Sequence, residues 1–312
     1  MVRTGKRRAR AAAAVVLAAA GLALSGCKGT TQAQAAPKAS PAATRATAAA
    51  SPTPFVPDGP VVALGDSYTA GLLLPDVKGS QPPGCFRSAI SYPATVAGAL
   101  HAKQFVNASC GSAGTINMTT AQRTADGTAP PQLDALSADD SVVMLTLSGD
   151  DLGFSNVLHV CMVLSFSRPE GSPCEAHYQG QLTSLINAEG PKMATVLAQI
   201  RARAPRARLL LVGYPDLFPQ SGGCWPAVPI TNGDIAFLRG TEQRLNTMLA
   251  TVAAAGQATY VDTYQATIGH DFCQPEKTRD VEGLIPESAT WSFHPNAKGQ
   301  SAMAALVLKA LN

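Results

Sequence analysis

The sequence predicts an α/β fold built on a central parallel sheet. Short β-branched or apolar runs alternate along the chain with longer helical stretches, a pattern typical of parallel strands joined by crossover helices. Residues 58–312 also have a length that suits one large α/β domain. The predicted strands are residues 61–64, 104–109, 141–147, 207–213 and 258–262.

The clearest predicted helices are residues 178–204, 234–255 and 295–311. We expect the first to break or kink near Gly190 and Pro191, because proline has no backbone N–H to continue the helical ladder. The last helix begins at Pro295, a residue that suits a first helical turn.

The amino terminus reads as a targeting segment. The first ten residues carry five cations and no acid, and the apolar run 11–24 that follows is shorter than the roughly 20 residues that span a bilayer. It ends at "LSGC", which resembles the bacterial lipobox, and this resemblance implies a diacylglycerol on Cys27. We therefore expect a signal peptide over 1–26 and an exported lipoprotein anchored to the outer face of the cell membrane. An ordinary signal peptide followed by a chance cysteine is the alternative.

Residues 27–57 are expected to form a disordered tether, and residues 58–312 the folded domain. After Cys27 the segment is mainly Ala, Thr, Pro and Ser, so it buries too little apolar surface to fold. As a random coil it would span on the order of 30 Å. Eight of the 24 basic residues precede Asp58 and all 21 acids lie at or after it, so the domain carries a formal charge of −5. This charge argues against a nucleic-acid partner.

Six cysteines follow Cys27, an even number that fits an oxidising compartment. Their short intervals favour pairing in sequential order. A zinc site is the competing interpretation, but the chain has no C-x-x-C or His-Cys cluster and we expect no metal. The predicted disulfides are Cys85–Cys110, Cys161–Cys174 and Cys224–Cys273.

Chemistry in an open parallel sheet is expected at the carboxyl ends of the strands. The first strand ends in "GDSY", which places Ser67 at a strand-to-helix turn as either a nucleophile or an N-cap. A serine nucleophile needs a base. Of five histidines, His294 directly precedes the C-terminal helix, and His270 is the reserve candidate.

Four motifs then complete a pattern: "GDSY" at 65–68, "CGSAG" at 110–114, "SGDDLGF" at 148–154 and "FHP" at 293–295. In this order they resemble the SGNH (GDSL) hydrolase superfamily, and more closely its secreted three-disulfide esterases and lipases. The resemblance implies a three-layer α/β/α flavodoxin-like fold, an ester or acyl substrate that is a small molecule or a lipid, and no organic cofactor. We expect a monomer.

Carried over by position, the resemblance makes Ser67 the nucleophile and His294 its general base and acid. An aspartate three residues before the histidine orients it elsewhere in the superfamily, but Trp291 stands there in this chain. In the secreted branch the main-chain carbonyl at that position accepts from the imidazole instead. The expected site is therefore a Ser-His dyad oriented by the carbonyl of Trp291, which fixes the tautomer.

The oxyanion hole implied by the resemblance uses the Ser67 N–H, a backbone N–H of the "CGSAG" turn and the side chain at position 150. The family turn reads Cys-Ser-Gly-Ala, so Gly111 and Ser112 have exchanged places, and either one is a candidate donor. If the backbone needs a positive φ at the second of these positions, Ser112 is strained.

The adjacent acids Asp150 and Asp151 depart from the family pattern Gly-Asn-Asp. Asp151 matches the usual structural acid, whereas Asp150 replaces an oxyanion-hole asparagine. An ionised Asp150 accepts only and would repel the anion. Three hypotheses follow: a protonated Asp150 that donates, a slow esterase that relies on backbone donors, or a site without catalysis on a domain that binds an envelope ligand.

Overall fold

The computed structural model describes residues 54–75 and 82–312. The predicted signal peptide, Cys27 and most of the predicted tether lie outside the described residues. Within the described ranges, no helix is long and apolar enough to cross a bilayer.

Five parallel strands form the central sheet, and each lies where the sequence predicts one, with its ends within two residues of the prediction. These strands are β1 (Val61–Gly65), β2 (Phe105–Asn107), β5 (Val142–Thr146), β6 (Arg208–Val212) and β7 (Thr259–Val261), while β3 (Gln122–Thr124) and β4 (Gly127–Ala129) form a separate antiparallel pair. The order across the sheet is β2-β1-β5-β6-β7. This is the doubly wound order of flavodoxin-like sheets, and it places the topological switch point between β1 and β5.

Eight helices surround the sheet in the described residues: α1 (Ser67–Ala70), α2 (Tyr92–Ala99), α3 (Phe154–Ser167), α4 (Pro173–Tyr178), α5 (Gln181–Arg203), α6 (Asn232–Ala255), α7 (Thr263–Thr267) and α8 (Ala297–Leu311). Alternate residues of each strand point to opposite faces. Val62 and Leu64 belong to the core under α5 and α6, whereas Val61 packs in a second core with α2 and α8. The expected three-layer α/β/α arrangement is confirmed.

Of the predicted break or kink near Gly190 and Pro191, the break is wrong, because α5 is one continuous helix from Gln181 to Arg203. A proline inside a helix removes one backbone hydrogen bond. Here the buried side chains on both sides of it, including Ile186 and Leu197, hold the helix against the core. Tertiary packing therefore outweighs the local preference of the proline.

All three disulfides form with the predicted pairs. Their Cα–Cα distances are 4.2 Å for Cys85–Cys110, 4.9 Å for Cys161–Cys174 and 5.4 Å for Cys224–Cys273. The first joins the segment before α2 to the turn after β2. That turn also binds the end of β1, since the Cys110 N–H donates to the Gly65 oxygen at 3.0 Å.

Candidate active site

Ser67 is the first residue of α1, directly after the carboxyl end of β1. The N-cap is Asp66, whose side chain accepts from the Tyr68 N–H at 2.9 Å. The interpretation of Ser67 as the N-cap is therefore wrong, and its hydroxyl is left for another partner. The Ser67 N–H makes no hydrogen bond within the described part of the chain.

The partner of the Ser67 hydroxyl is His294. The distance from Ser67 Oγ to His294 Nε2 is 2.8 Å, and both residues are 7 % exposed. His294 lies in the loop between α7 and α8, so the dyad joins residues 227 positions apart in the chain. A serine and a histidine at this separation can exchange a proton.

The other ring nitrogen of His294 contacts a different carbonyl from the one we expected. The Nδ1 atom lies 2.8 Å from the main-chain oxygen of Ser292, whereas the Trp291 oxygen accepts from the backbone N–H of His294 at 3.2 Å. The assignment of Trp291 as the orienting carbonyl is therefore wrong by one residue. Phe293 has a φ of +60°, and this left-handed residue turns the chain so that the imidazole reaches Ser292.

Burial lowers the pKa of His294 to about 4, although the Ser292 carbonyl favours the protonated ring. The imidazole is therefore neutral above this pH. With Nδ1–H donating to Ser292, the lone pair of Nε2 faces the Ser67 hydroxyl, which is the tautomer that a general base needs.

A second chain of hydrogen bonds links the first and third motifs. The Tyr214 hydroxyl donates to Asp66 Oδ2 at 2.5 Å and accepts from the Gly149 N–H at 2.7 Å. Asp66 is buried, and this burial, together with the nearby Asp150, raises its pKa well above its ordinary value. Tyr214 thus fixes the loop that carries Asp150 relative to the turn that carries Ser67.

The turn at 110–114 has the strained geometry considered above, since Ser112 has a φ of +60°. Such a left-handed conformation costs a residue with a Cβ roughly 1–2 kcal/mol. The Gly111 N–H donates to the Cys85 oxygen at 3.2 Å, and the Gly111 oxygen accepts from Gln122 Nε2 at 2.7 Å. The Ser112 N–H makes no hydrogen bond within residues 54–75 and 82–312.

The adjacent acids have different surroundings. Asp151 accepts from the backbone N–H and the hydroxyl of Thr115, at 2.8 and 2.7 Å, and so connects the turn after β5 to the segment after the "CGSAG" turn. The Asp150 carboxyl accepts no hydrogen bond from any residue in the described ranges. Burial, and then the charge of Asp151, raise the pKa of Asp150 to about 6.

The dyad opens into a cavity of about 190 Å³. Phe154, Tyr68 and Trp291 contribute to its wall, as do Asp66 and Asp150. The lining is mainly apolar and also includes Leu158, Met162, Leu217, Leu245 and Leu284. Such a lining suits an acyl chain.

Two other residues, the reserve base His270 and the exposed aromatic Trp225, lie away from this cavity. His270 has a half-exposed side chain, and its Nδ1 atom lies 2.7 Å from the Thr278 oxygen. Trp225 stacks on Phe166 with a centroid distance of 6.3 Å. Neither residue lines the cavity that contains Ser67.

Three residues of the site carry no role in the sequence analysis: Ser292, Tyr214 and Glu242. The carbonyl of Ser292 has no signature in a sequence, because every residue has one. Tyr214 follows the carboxyl end of β6, at the edge of the sheet where Ser67 follows β1. A polar side chain at this edge could have been recognised in the sequence as a candidate site residue. Glu242 interrupts an apolar stripe of α6, which is also visible in the sequence.

The fold and the site together define the class of serine ester hydrolases. The chain belongs to the GDSL-like lipase/acylhydrolase family, whose model matches residues 63–302, and it is a carboxylic ester hydrolase of that type. Lipase 2 of Streptomyces coelicolor is 36% identical to it over 266 residues, which cover 84% of this chain and 88% of the relative. An esterase of Streptomyces scabiei is 28% identical over 288 residues, covering 78% of this chain and 83% of the relative.

Two crystal structures share its architecture. A phospholipase A1 from Streptomyces albidoflavus is 27% identical, with a TM-score of 0.69, and covers 81% of this chain and 99% of its own. An extracellular lipase from Streptomyces rimosus is 25% identical, with a TM-score of 0.67, and the match covers 81% of this chain and 99% of the lipase. Three disulfides in a family with such relatives indicate a protein that folds outside the cytoplasm.

Proposed function

We propose that the protein hydrolyses carboxylic esters through a covalent acyl enzyme on Ser67. The observation that carries this proposal is the contact of 2.8 Å between Ser67 Oγ and His294 Nε2, both of which line a mainly apolar cavity. A neutral imidazole beside the serine hydroxyl can take up its proton. This is the geometry of an activated nucleophile.

In the first half of the reaction, Ser67 Oγ attacks the carbonyl carbon of the ester while its proton moves to His294 Nε2. The carbonyl oxygen becomes an oxyanion. His294 then returns the proton to the alcohol oxygen as the C–O bond breaks, and an acyl serine remains. Water attacks this acyl group with His294 again as the base, and the acid leaves as Ser67 regains its proton. The Ser292 carbonyl stabilises the imidazolium through Nδ1–H.

The oxyanion hole of this proposal has three donors. The Ser67 and Ser112 N–H groups are both without a hydrogen bond in the described parts of the chain, whereas the Gly111 N–H is used by Cys85. Ser112 is therefore preferred over Gly111 as the second donor. The hydrogen bond from the Cys110 N–H to the Gly65 oxygen supports this choice, since it holds the 110–114 turn to the end of β1.

The third donor is the protonated carboxyl of Asp150. A carboxylate there would oppose the developing anion, but burial and Asp151 raise the pKa of Asp150 to about 6. A neutral carboxylic acid supplies one O–H donor in place of an asparagine NH₂. The proposal therefore favours a protonated Asp150 over an ionised one, and catalysis under mildly acidic conditions.

The substrate class is an ester with a short or medium acyl chain, borne by a lipid, a small molecule or an acetylated glycan. The cavity of about 190 Å³ is below the usual range of roughly 300–1,000 Å³ for small-molecule sites. A long chain would extend past it. The lipase, esterase and phospholipase names of the relatives fit an acyl ester, and the cavity size supports the shorter end of that range.

We further propose that the monomeric domain is held at the outer face of the cell membrane by a lipid on Cys27. The motif "LSGC" and the apolar run before it support this proposal. A Cys27→Ser variant should move from the membrane fraction to the medium. Retention of that variant on the membrane would contradict it.

The test of the hydrolase uses p-nitrophenyl acetate and butyrate at pH 5 with the wild type, Ser67→Ala and His294→Ala. We expect turnover in the wild type and a loss of at least about 10³-fold in each variant. His270→Ala is the matched control and should retain turnover. If His270→Ala abolished turnover and His294→Ala did not, the assignment of the base would be wrong. If neither the wild type nor Asp150→Asn turned over, a ligand-binding domain would replace the hydrolase.

A further inference from the structure

An acid interrupts the buried stripe of α6. Its apolar members recur every three or four residues, and Glu242 occupies one of these positions with only 2 % of its surface exposed. The other members are Ile235, Leu238, Leu245, Leu249 and Val252. Carboxylates are rare at such positions unless they are paired, so this residue needs a partner or a ligand.

The surroundings of Glu242 do not pair its charge. Both carboxyl oxygens lie 3.3 Å from the Leu217 N–H, and in the described ranges they accept no other hydrogen bond and contact no cation. Burial, together with the nearby Asp216 and Asp271, raises the pKa of Glu242 well above its ordinary value, which the Leu217 N–H only partly offsets. Burial without a cation and the raised pKa both favour the protonated form of Glu242, which has an O–H group to donate.

Glu242 lines the same cavity as Ser67 and His294. Its neighbours in the lining include Leu217, whose N–H contacts the carboxyl, and Leu245, one turn further along α6. Trp291 is 53 % exposed at the solvent side of this cavity, whereas Glu242 is buried. The acid is thus a buried polar group in the lining of a pocket that would hold an acyl chain.

We propose that Glu242 determines the acyl specificity of this pocket, by donating a hydrogen bond to an oxygen atom that lies beside it in the pocket. That oxygen belongs to a retained water when the acyl chain is short, or to an oxygenated chain that reaches the acid. A saturated chain long enough to reach Glu242 leaves its O–H without an acceptor. This inference rests on the proposed function, since it assigns the acyl chain to this cavity.

A site built to bond a polar atom rejects an analogue that lacks it. For a single buried donor the expected penalty is about tenfold or more in kcat/KM. The enzyme should therefore prefer short acyl esters over long saturated ones by more than the size of the cavity alone would produce. The apolar variant Glu242→Leu should remove this part of the preference, while Glu242→Gln keeps a neutral donor at the same place.

The experiment measures the ratio of kcat/KM for p-nitrophenyl decanoate to that for the acetate. We expect Glu242→Leu to raise this ratio at least tenfold and Glu242→Gln to leave it within about threefold of the wild type. An unchanged ratio in Glu242→Leu, or an equal rise in both variants, would overturn the proposal. Thermal unfolding of both variants shows whether they are folded.

A binding measurement separates this inference from the proposed function, because it needs no turnover. Calorimetry on the full chain with Ser67→Ala compares decanoate with 4-, 6- and 8-oxodecanoate. We expect at least one oxo acid to bind about tenfold more tightly than decanoate, and Glu242→Leu to abolish that advantage. If every oxo acid binds no better than decanoate, the inference is wrong even where the chain is an active esterase.

Discussion

The hydroxyl of Tyr68 donates to the main-chain oxygen of Phe293 at 2.7 Å. Tyr68 follows the nucleophile Ser67, and Phe293 precedes the base His294. This hydrogen bond therefore joins the two chain segments that carry the dyad. The Tyr68 ring also lies against His294, with a centroid distance of 4.9 Å. One buried side chain therefore fixes the position of the imidazole relative to Ser67.

Tyr68→Phe should lower kcat by roughly tenfold with a smaller change in KM, because a small displacement of the base costs rate rather than binding. It also leaves the Phe293 carbonyl, at a left-handed residue, without a donor. Steady-state kinetics with p-nitrophenyl butyrate measures both constants. The matched control is Tyr264→Phe, which removes a hydroxyl bonded to Gln243 outside the cavity and should leave kcat in place. Equal effects of the two variants would contradict the role of Tyr68.

The pH dependence follows from two groups in the cavity. His294 must be neutral, which requires a pH above its pKa of about 4, and Asp150 must be protonated, which requires a pH below its pKa of about 6. Activity should therefore peak near pH 5. It should fall below pH 4 as the imidazole gains a proton and above pH 6 as the carboxyl loses one.

Asp150→Asn should remove only the alkaline limb, because an amide donates at every pH in this range. At pH 8 the variant should exceed the wild type by about 10²-fold, which is the usual worth of one oxyanion donor. Hydrolysis of p-nitrophenyl butyrate from pH 3.5 to 9 measures the profile. An alkaline limb that persists in Asp150→Asn would assign the loss to another group.

Glu282 holds the loop that carries His294. Its buried carboxyl accepts from Ser288 Oγ at 2.7 Å and Asn296 Nδ2 at 2.9 Å, and it pairs with Arg279 at 2.7 Å. Burial acts to raise its pKa, but these hydrogen bonds outweigh it and lower the pKa below 4.5. Glu282→Gln should therefore destabilise the protein by about 3 kcal/mol, because it removes the buried partner of the Arg279 guanidinium and leaves only the exposed Glu287 to pair with it.

The control for this change is Glu287→Gln, since Glu287 contacts the same guanidinium at 3.1 Å but has an exposed side chain. It should cost less than about 1 kcal/mol. A carboxyl with a lowered folded pKa stabilises the protein above its unfolded pKa and loses that effect as the pH falls. The difference between the wild type and Glu282→Gln should thus shrink below about pH 4.5. Urea unfolding at pH 7 and pH 3.5 measures the free energy of unfolding of each variant and its change with pH. Equal losses of stability in Glu282→Gln and Glu287→Gln would contradict this account.

Ser112 is expected to be a site where glycine stabilises the fold. Its φ of +60° carries a cost that Ser112→Gly removes, partly offset by the greater freedom of glycine in the unfolded chain. The net gain should be up to about 1 kcal/mol, or roughly 2–4 °C in Tm. Ser112→Ala retains the Cβ and should give no gain. A higher Tm in both variants would show that the serine hydroxyl, and not the backbone, is the unfavourable element.

The sheet could be predicted from the sequence because its strands are buried and parallel, which gives short continuous apolar runs such as 142–146. The pair of Ser67 and His294 could be predicted because both lie in motifs, at 65–68 and 293–295, that resemble those of the SGNH superfamily. Strand β3 could not, since "QRT" is polar and its partner is only three residues long. The contact of the Ser292 carbonyl with His294 depends on the left-handed backbone at Phe293. It could not be predicted, because the side chain of phenylalanine gives no indication of this conformation.

The most direct test of the account is to locate the nucleophile chemically. The protein is treated at pH 5 with a fluorophosphonate, which phosphonylates activated serines, and the labelled peptide is identified by mass spectrometry. We predict one adduct, on Ser67, that is absent in Ser67→Ala and forms at least about 10²-fold more slowly in His294→Ala. An adduct on a different serine, or labelling of Ser67 at the same rate without His294, would contradict the dyad.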